Sequence, residues 1–202
     1  MTRIIIARHG NTFDAGEVVT RVGARTDIPL SNSGKVQAIA LGQYFKEQSS
    51  PFDIAFCSTL RRTKETADII LSERQSEITP SVLTFLTEID YGPDENLPED
   101  IVLQRIGQDA IDKWEKLGTP PQGWLVEPDR LMQEWRDFFS LMHAENNGKN
   151  ILVVTSNGIA RFALQAIDSA ASHSLKLKTG AFGEITIDNG GKARIMEWNI
   201  RP

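Results

Sequence analysis

Arg8-His9-Gly10 closes the apolar run Ile4-Ile5-Ile6-Ala7 and leads into Asn11-Thr12. A guanidinium, an imidazole and a glycine in succession suit an arriving oxyanion. Arginine presents a planar fork of donors that matches phosphoryl oxygens, and glycine lets backbone approach closely. A neutral imidazole can attack phosphorus through one nitrogen while a hydrogen bond keeps the other protonated. The alternative is a strand end whose Arg8 and His9 face solvent, and a three-residue pattern alone supports both readings. A second apolar run, Asp53 to Cys57, ends in Ser58-Thr59-Leu60-Arg61-Arg62, which adds two hydroxyls and two guanidinium groups. One arginine of that pair can be an ordinary solvated residue of a first helical turn. Cys57 raises a rival chemistry, a phosphatase thiolate followed by an arginine six positions on, but that position is Thr63. Cys57 therefore reads as a small buried thiol at a strand end. A third run, Ile151 to Thr155, is followed by Ser156-Asn157-Gly158, whose side chains and helix-start N–H groups are further donors to an anion.

The elements that must carry these residues follow from periodicity. Arg3 to Ala7, Asp53 to Cys57 and Ile151 to Thr155 have the continuous apolar character of strands covered on both faces. Between them, helical spacing appears over Gly34 to Gln48 (Val36, Ile39, Ala40, Phe45), Thr63 to Leu71 and Asp129 to Ala144 (Leu131, Trp135, Phe138, Phe139, Met142). Alternation of this kind predicts an α/β fold, a three-layer α/β/α sandwich around a mostly parallel sheet. Ligands of such sheets sit beyond the carboxyl ends of the strands, where all three motifs fall. Two extended segments around Asp188-Asn189-Gly190-Gly191 predict an antiparallel C-terminal edge. Residues 93–129 break the alternation. They begin PDENLPED, contain one predicted amphipathic helix (Leu103, Ile106, Ala110, Trp114, Leu117) and end in the loop TPPQGW, which reads as an inserted helical cap within a single catalytic domain, 1–202. The cap carries nine carboxylates against Arg105, Lys113 and Lys116, so it holds the negative excess of the chain. Its Trp114 and Trp124 read as the cap's own small core.

Composition narrows the partners. A formal net charge of -5 over 202 residues gives no basic field for nucleic acid, and no Lys/Arg run suggests a membrane surface. No stretch is long enough to span a bilayer, the first apolar run is too short for a secretory signal, and one cysteine suits a reducing compartment. The expectation is a cytoplasmic protein with a small phosphorylated substrate, no nucleic acid and no membrane.

Arg8-His9-Gly10-Asn11-Thr12, then Asp27-Ile28-Pro29-Leu30-Ser31 with Gly34 and Gln37-Ala38, then Ser58-x-Leu60-x-Arg62 with Thr66-Ala67, resemble in order the histidine phosphatase superfamily, also called phosphoglycerate-mutase-like. Leu86-Thr87-Glu88-Ile89-Asp90-Tyr91-Gly92 is similar to that family's L-x-E-x-x-x-G segment. The resemblance spans most of the chain outside residues 93–129 and the last hairpin. It implies transfer of a phosphoryl group to His9 and then to water or another acceptor, with Arg8 and Arg62 clamping the equatorial oxygens and Glu88 as general acid. Gly10, Thr12, Ser156 and Asn157 would contact phosphate, and neither metal nor other cofactor is implied. The family's second histidine falls at Ser156, and His143 and His173 read as surface residues. Loss of one preorganised donor costs on the order of 100- to 1000-fold in turnover. Ala15 and Ala24 also depart from the pattern, leaving Arg21 and Arg25 as further sources of charge. A phosphomonoester hydrolase of modest turnover is the expected function. A phosphoglycerate-type mutase and a phosphate-binding pseudoenzyme remain as alternatives.

Overall fold

The computed structural model describes residues 1–48, 51–167 and 174–202. The run Ile4 to Ala7 lies fully buried in β1 (Thr2–Arg8). β1 pairs in parallel with β4 (Asn150–Thr155) and antiparallel with β5 (Phe182–Ile187). β4 pairs in parallel with β2 (Ile54–Cys57), which carries the short parallel β3 (Ser81–Val82), and β6 (Ala193–Ile200) closes the far edge antiparallel to β5. The sheet order is β3-β2-β4-β1-β5-β6.

Alternate side chains of the central strands serve opposite layers. Ile5, Ala7, Leu152 and Val154 pack with residues of α1 (Asn32–Glu47) and α2 (Arg61–Glu73). Ile4, Ile6, Ile151 and Val153 pack with residues of α5 (Pro128–Glu145) and α6 (Asn157–Ile167). This is the three-layer α/β/α arrangement that the alternation of strands and helices predicts. Among the described residues, no helix is long and apolar enough to cross a membrane.

Three details differ from the sequence reading. On α1 the buried face is Gly34, Ala38, Leu41, Gly42 and Phe45, while Val36 is 65% exposed. Close approach of α2 explains the small residues, since a Cβ on Gly42 would lie 2.6 Å from the Cβ of Glu73. The single helix expected over Leu103 to Leu117 is two, α3 (Glu99–Ile106) and α4 (Gln108–Leu117), because Gly107 takes a φ of 78° that no helix continues. Trp114 and Trp124 also do not form a separate small core. They join one apolar cluster with Leu86, Tyr91, Trp135 and Phe162.

A buried carboxylate anchors this segment. Asp94 is fully buried and accepts hydrogen bonds from the Arg105 guanidinium and, at 2.6 Å, from Trp124 Nε1. Burial pushes its pKa up, but the bonds from Arg105 and Trp124 outweigh burial and hold it below the usual carboxylate value. Breaking a buried ion pair strands its partner at a cost of about 3–5 kcal/mol. Arg105 keeps 34% of its side chain exposed, which favours the lower end of that range. Asp94→Ala is expected to lower unfolding stability by about 3 kcal/mol, read as a reduced urea midpoint at unchanged slope.

Candidate active site

The central strands fix His9 through its backbone. Arg8 and Thr155 are in register across β1 and β4, His9 N–H donates to the Thr155 carbonyl at 3.1 Å, and Gly180 N–H donates to the His9 carbonyl at 3.2 Å. The next residue has no room for a side chain, since a Cβ on Gly10 would lie 2.2 Å from the Gly34 carbonyl oxygen where the chain crosses the start of α1. Gly10 N–H already donates to the Thr66 hydroxyl at 3.2 Å. Packing against α1, rather than approach of an anion, is therefore what demands glycine here.

His9 is 6% exposed, and its Nδ1 lies 2.7 Å from the Gly10 carbonyl oxygen. A carbonyl only accepts, so the proton sits on Nδ1 and Nε2 carries the lone pair. Desolvation, with the positive charges of Arg62 and Arg8, holds the imidazole well below its ordinary pKa, and the bond to Gly10 only partly offsets them. Folded His9 thus binds a proton less readily than the unfolded chain. Its linkage leaves stability unchanged above about pH 6.5 and lowers it as pH falls through that value, where the unfolded imidazole protonates first. A ring-nitrogen NMR titration is expected to find His9 still neutral at about pH 6, and a midpoint near 6.5 would contradict the burial argument.

Arginines converge from two strand ends. Arg8 is half-buried at the end of β1 and donates through one Nη to the Leu177 carbonyl at 2.9 Å. Arg62, fully buried at the start of α2, donates to the carbonyls of Thr26 at 2.8 Å and Gly23 at 3.1 Å. Desolvation lowers both guanidinium pKa values, and the negative charge of Glu88 opposes it in each case. Arg61 is the solvent-facing member of its pair, with 57% of its side chain exposed beside Glu65.

Glu88 reaches the same place from the loop after β3. It is 5% exposed, with Oε1 accepting from Ile89 N–H at 3.0 Å and Oε2 from Gly158 N–H at 3.3 Å, at the amino end of α6. Gly158 leaves room for the carboxylate in this position, because a Cβ would lie 2.2 Å from Glu88 Oε1 and would displace it. Arg8, His9, Thr12, Glu88 and Asn157 line one cavity of about 560 Å³. Gly10, Arg62 and Ser156 do not line it. Arg62 and Ser156 are fully buried, and the Ser156 hydroxyl has no hydrogen-bond partner. Asn157 spends its Oδ1 on Leu177 N–H at 2.8 Å, which leaves its NH₂ as the available donor.

Sequence reasoning missed Tyr91 and Arg161, both of which line the cavity. Tyr91 stands three residues after Glu88 in the same short segment; burial first, and then the charge of Glu88, raises its phenol pKa. Arg161 stands one helical turn beyond Asn157, its guanidinium 3.9 Å from the centroid of the Trp114 ring. Burial pushes its pKa down to about 10. Spacing along the motif and along α6 is the signal that could have found both. Of the loop arginines, Arg21 lines the cavity and pairs with Glu99, whereas Arg25 is exposed and pairs with Asp90 at 2.9 Å. His143 packs under the β5–β6 turn against Gly191, and Asn189 of that turn meets the Met1 amino group, so His143 lies at the end of the sheet opposite His9. His173 lies outside the described residues.

A buried neutral histidine among arginines, at the carboxyl ends of parallel strands, is the architecture of one class. The family model of the histidine phosphatase superfamily, branch 1, matches residues 4–201, and the chain belongs to that family. Its relatives include a 2,3-bisphosphoglycerate-dependent phosphoglycerate mutase of Rhizobium etli, 32% identical over 171 residues that cover 83% of this chain and 81% of that protein. A protein of the same name from Bartonella henselae is 30% identical over 187 residues, 88% of each chain. The fold is shared with a mycobacterial glucosyl-3-phosphoglycerate phosphatase solved with VO3, at a TM-score of 0.79, 19% identity and 98% coverage of both chains. It is shared also with an Entamoeba histolytica phosphoserine phosphatase mutant in complex with phosphoserine, at a TM-score of 0.76, 19% identity and coverage of 98% of this chain and 97% of that one.

Proposed function

We propose that this protein hydrolyses phosphomonoesters, without a metal, through a phosphohistidine on His9. The observation that carries the reading is the His9 ring itself, neutral and buried, its Nδ1 proton held by Gly10, beside Arg8 and Arg62. In the first step the Nε2 lone pair forms a bond to phosphorus and the ester P–O bond breaks, while Glu88, ionised at rest, relays to the leaving oxygen the proton that the monoanionic ester brings. In the second, Glu88 takes a proton from water as its oxygen attacks phosphorus, the P–N bond breaks, and inorganic phosphate leaves neutral His9 behind. Phosphoryl transfer asks the protein chiefly for positioning and charge stabilisation, which Arg8 and Arg62 supply to the equatorial oxygens. Where the family pattern has a second histidine, this chain has Ser156, buried behind the cavity wall, and the donor that reaches the cavity beside it is the Asn157 amide, which carries no imidazolium charge. Modest turnover follows.

The test is hydrolysis of para-nitrophenyl phosphate in EDTA, with rapid acid-free quenching and mass spectrometry of the labelled peptide. The expected result is turnover together with an acid-labile, alkali-stable phosphate on His9. Tight phosphate binding with neither turnover nor label would overturn the proposal in favour of a binding pseudoenzyme.

A further inference from the structure

Beyond the phosphoryl position, apolar side chains reach the cavity from two directions, among the uncharged polar ones of Asn11, Thr20 and Thr179. Phe13, Val19 and Val22 come from the loop between β1 and α1, and Ile111 and Trp114 come from α4. The cations at the outer part of the cavity already have partners. Arg21 is paired with Glu99, at the start of α3, and its guanidinium is stacked on the rings of Trp124 and Tyr91. Lys176 lies 3.4 Å from Glu115 of α4. Arg161 is bound to the backbone carbonyls of Trp114 and Asn157 and lies over the Trp114 ring, so it holds the apolar wall. Among the described residues, Arg8 and Arg62, beside His9, form no ion pair and are bonded only to carbonyls, as Arg161 is in the wall, and the two beside His9 balance one phosphoryl dianion.

From this distribution we infer that the substrate is a monophosphate ester whose leaving group is uncharged and apolar, and that Glu99 and Glu115 select against a second anionic group. The inference deepens the hydrolase reading and rests on it for the word substrate. At the outer cations, a second phosphate or a carboxylate would have to displace Glu99 from Arg21 or Glu115 from Lys176, and Arg161 has its Nε and one Nη committed to carbonyls, whereas an alkyl or aryl group meets Phe13, Val22 and Ile111 without displacing anything. The volume of about 560 Å³ exceeds what a phosphoryl group fills and falls within the range of small-molecule pockets.

Two phosphonates, which cannot be hydrolysed, separate binding from chemistry. Calorimetric titration of the intact protein is expected to give hexylphosphonate an affinity at least about tenfold above that of 3-phosphonopropionate, since each methylene withdrawn from water is worth about a factor of four. In the double variant Glu99→Gln/Glu115→Gln, Arg21 and Lys176 are released, and the preference is expected to narrow by about tenfold, in keeping with coupling of two charge pairs. Ile111→Ser is expected to weaken hexylphosphonate alone. Equal or tighter binding of 3-phosphonopropionate by the wild type, or a preference unmoved in the double variant, overturns the inference. Hydrolysis is scored separately with hexyl phosphate and 3-phosphoglycerate. A hexyl preference without turnover or phosphohistidine leaves the ligand class standing and removes the hydrolase reading. Turnover that favours 3-phosphoglycerate removes the ligand class and leaves the hydrolase.

Discussion

His9→Ala is expected to reduce hydrolysis of para-nitrophenyl phosphate by roughly 10⁴-fold or more, the scale on which enzymes lose turnover when a nucleophile is deleted. The variant removes the Nε2 lone pair of the proposed nucleophile, while the backbone of residue 9 stays pinned by the carbonyl of Thr155 and the N–H of Gly180. Arg8 and Arg62 remain, and their anchors on Leu177, Thr26 and Gly23 do not involve the imidazole. Affinity for inorganic phosphate should therefore persist in the variant, and phosphorylation of the peptide should vanish. Persistence of binding distinguishes loss of a nucleophile from collapse of the site, which would abolish both. A variant that retained turnover within about tenfold of wild type would assign the nucleophile elsewhere.

The second large effect belongs to Glu88→Gln, and its size in kcat/KM, which reports the first step, should depend on the leaving group. General acid catalysis is worth about 10²–10⁴-fold, and that loss is expected for an alkyl phosphate, whose alkoxide cannot depart without a proton. For para-nitrophenyl phosphate the phenolate leaves unaided, so the first step should be nearly spared and the phosphoenzyme should accumulate, because Glu88 also activates water in the second. A purely structural role for Glu88 would slow both substrates alike. The substitution carries a stability cost of its own. Each carboxylate oxygen accepts one backbone N–H, from Ile89 and from Gly158, and an amide has only one accepting oxygen. One N–H is stranded, at about 1–3 kcal/mol, so thermal melting must accompany the kinetics and assays must be run well below the lowered midpoint.

Charge underlies both effects. The proposed chemistry needs Arg8 and Arg62 positive and His9 neutral side by side, and desolvation favours the neutral imidazole while Glu88 supports the two guanidinium groups. Packing makes this affordable. Glu88 sits at the amino end of α6 only because Gly158 leaves room, and His9 reaches the sheet end only because Gly10 and Gly34 allow the chain to cross α1.

The amino-acid sequence by itself determined the strands other than the two-residue β3, the layers and the strand ends at which the candidate residues emerge. Runs such as Ile4 to Ala7 and Ile151 to Thr155 are apolar at every position, a pattern satisfied only by strands covered on both faces, and the residues after them must then emerge at one edge. It also determined His9, Arg8, Arg62 and Glu88 as candidates, because motif spacing survives in one dimension. Tertiary structure alone decided the rest. Arg61 and Arg62 are adjacent and chemically identical, and only the docking of α2 against the loop from Gly23 to Thr26 buries one of them. Gly10 has the same composition whether it admits a phosphate or another backbone, and the Gly34 carbonyl 2.2 Å from its absent Cβ settles which. The pairing of Arg21 with Glu99 and of Lys176 with Glu115 joins residues far apart in the chain. Periodicity records whether a residue is turned toward the core, but not which distant charge it meets there, because that depends on how separate elements are packed together.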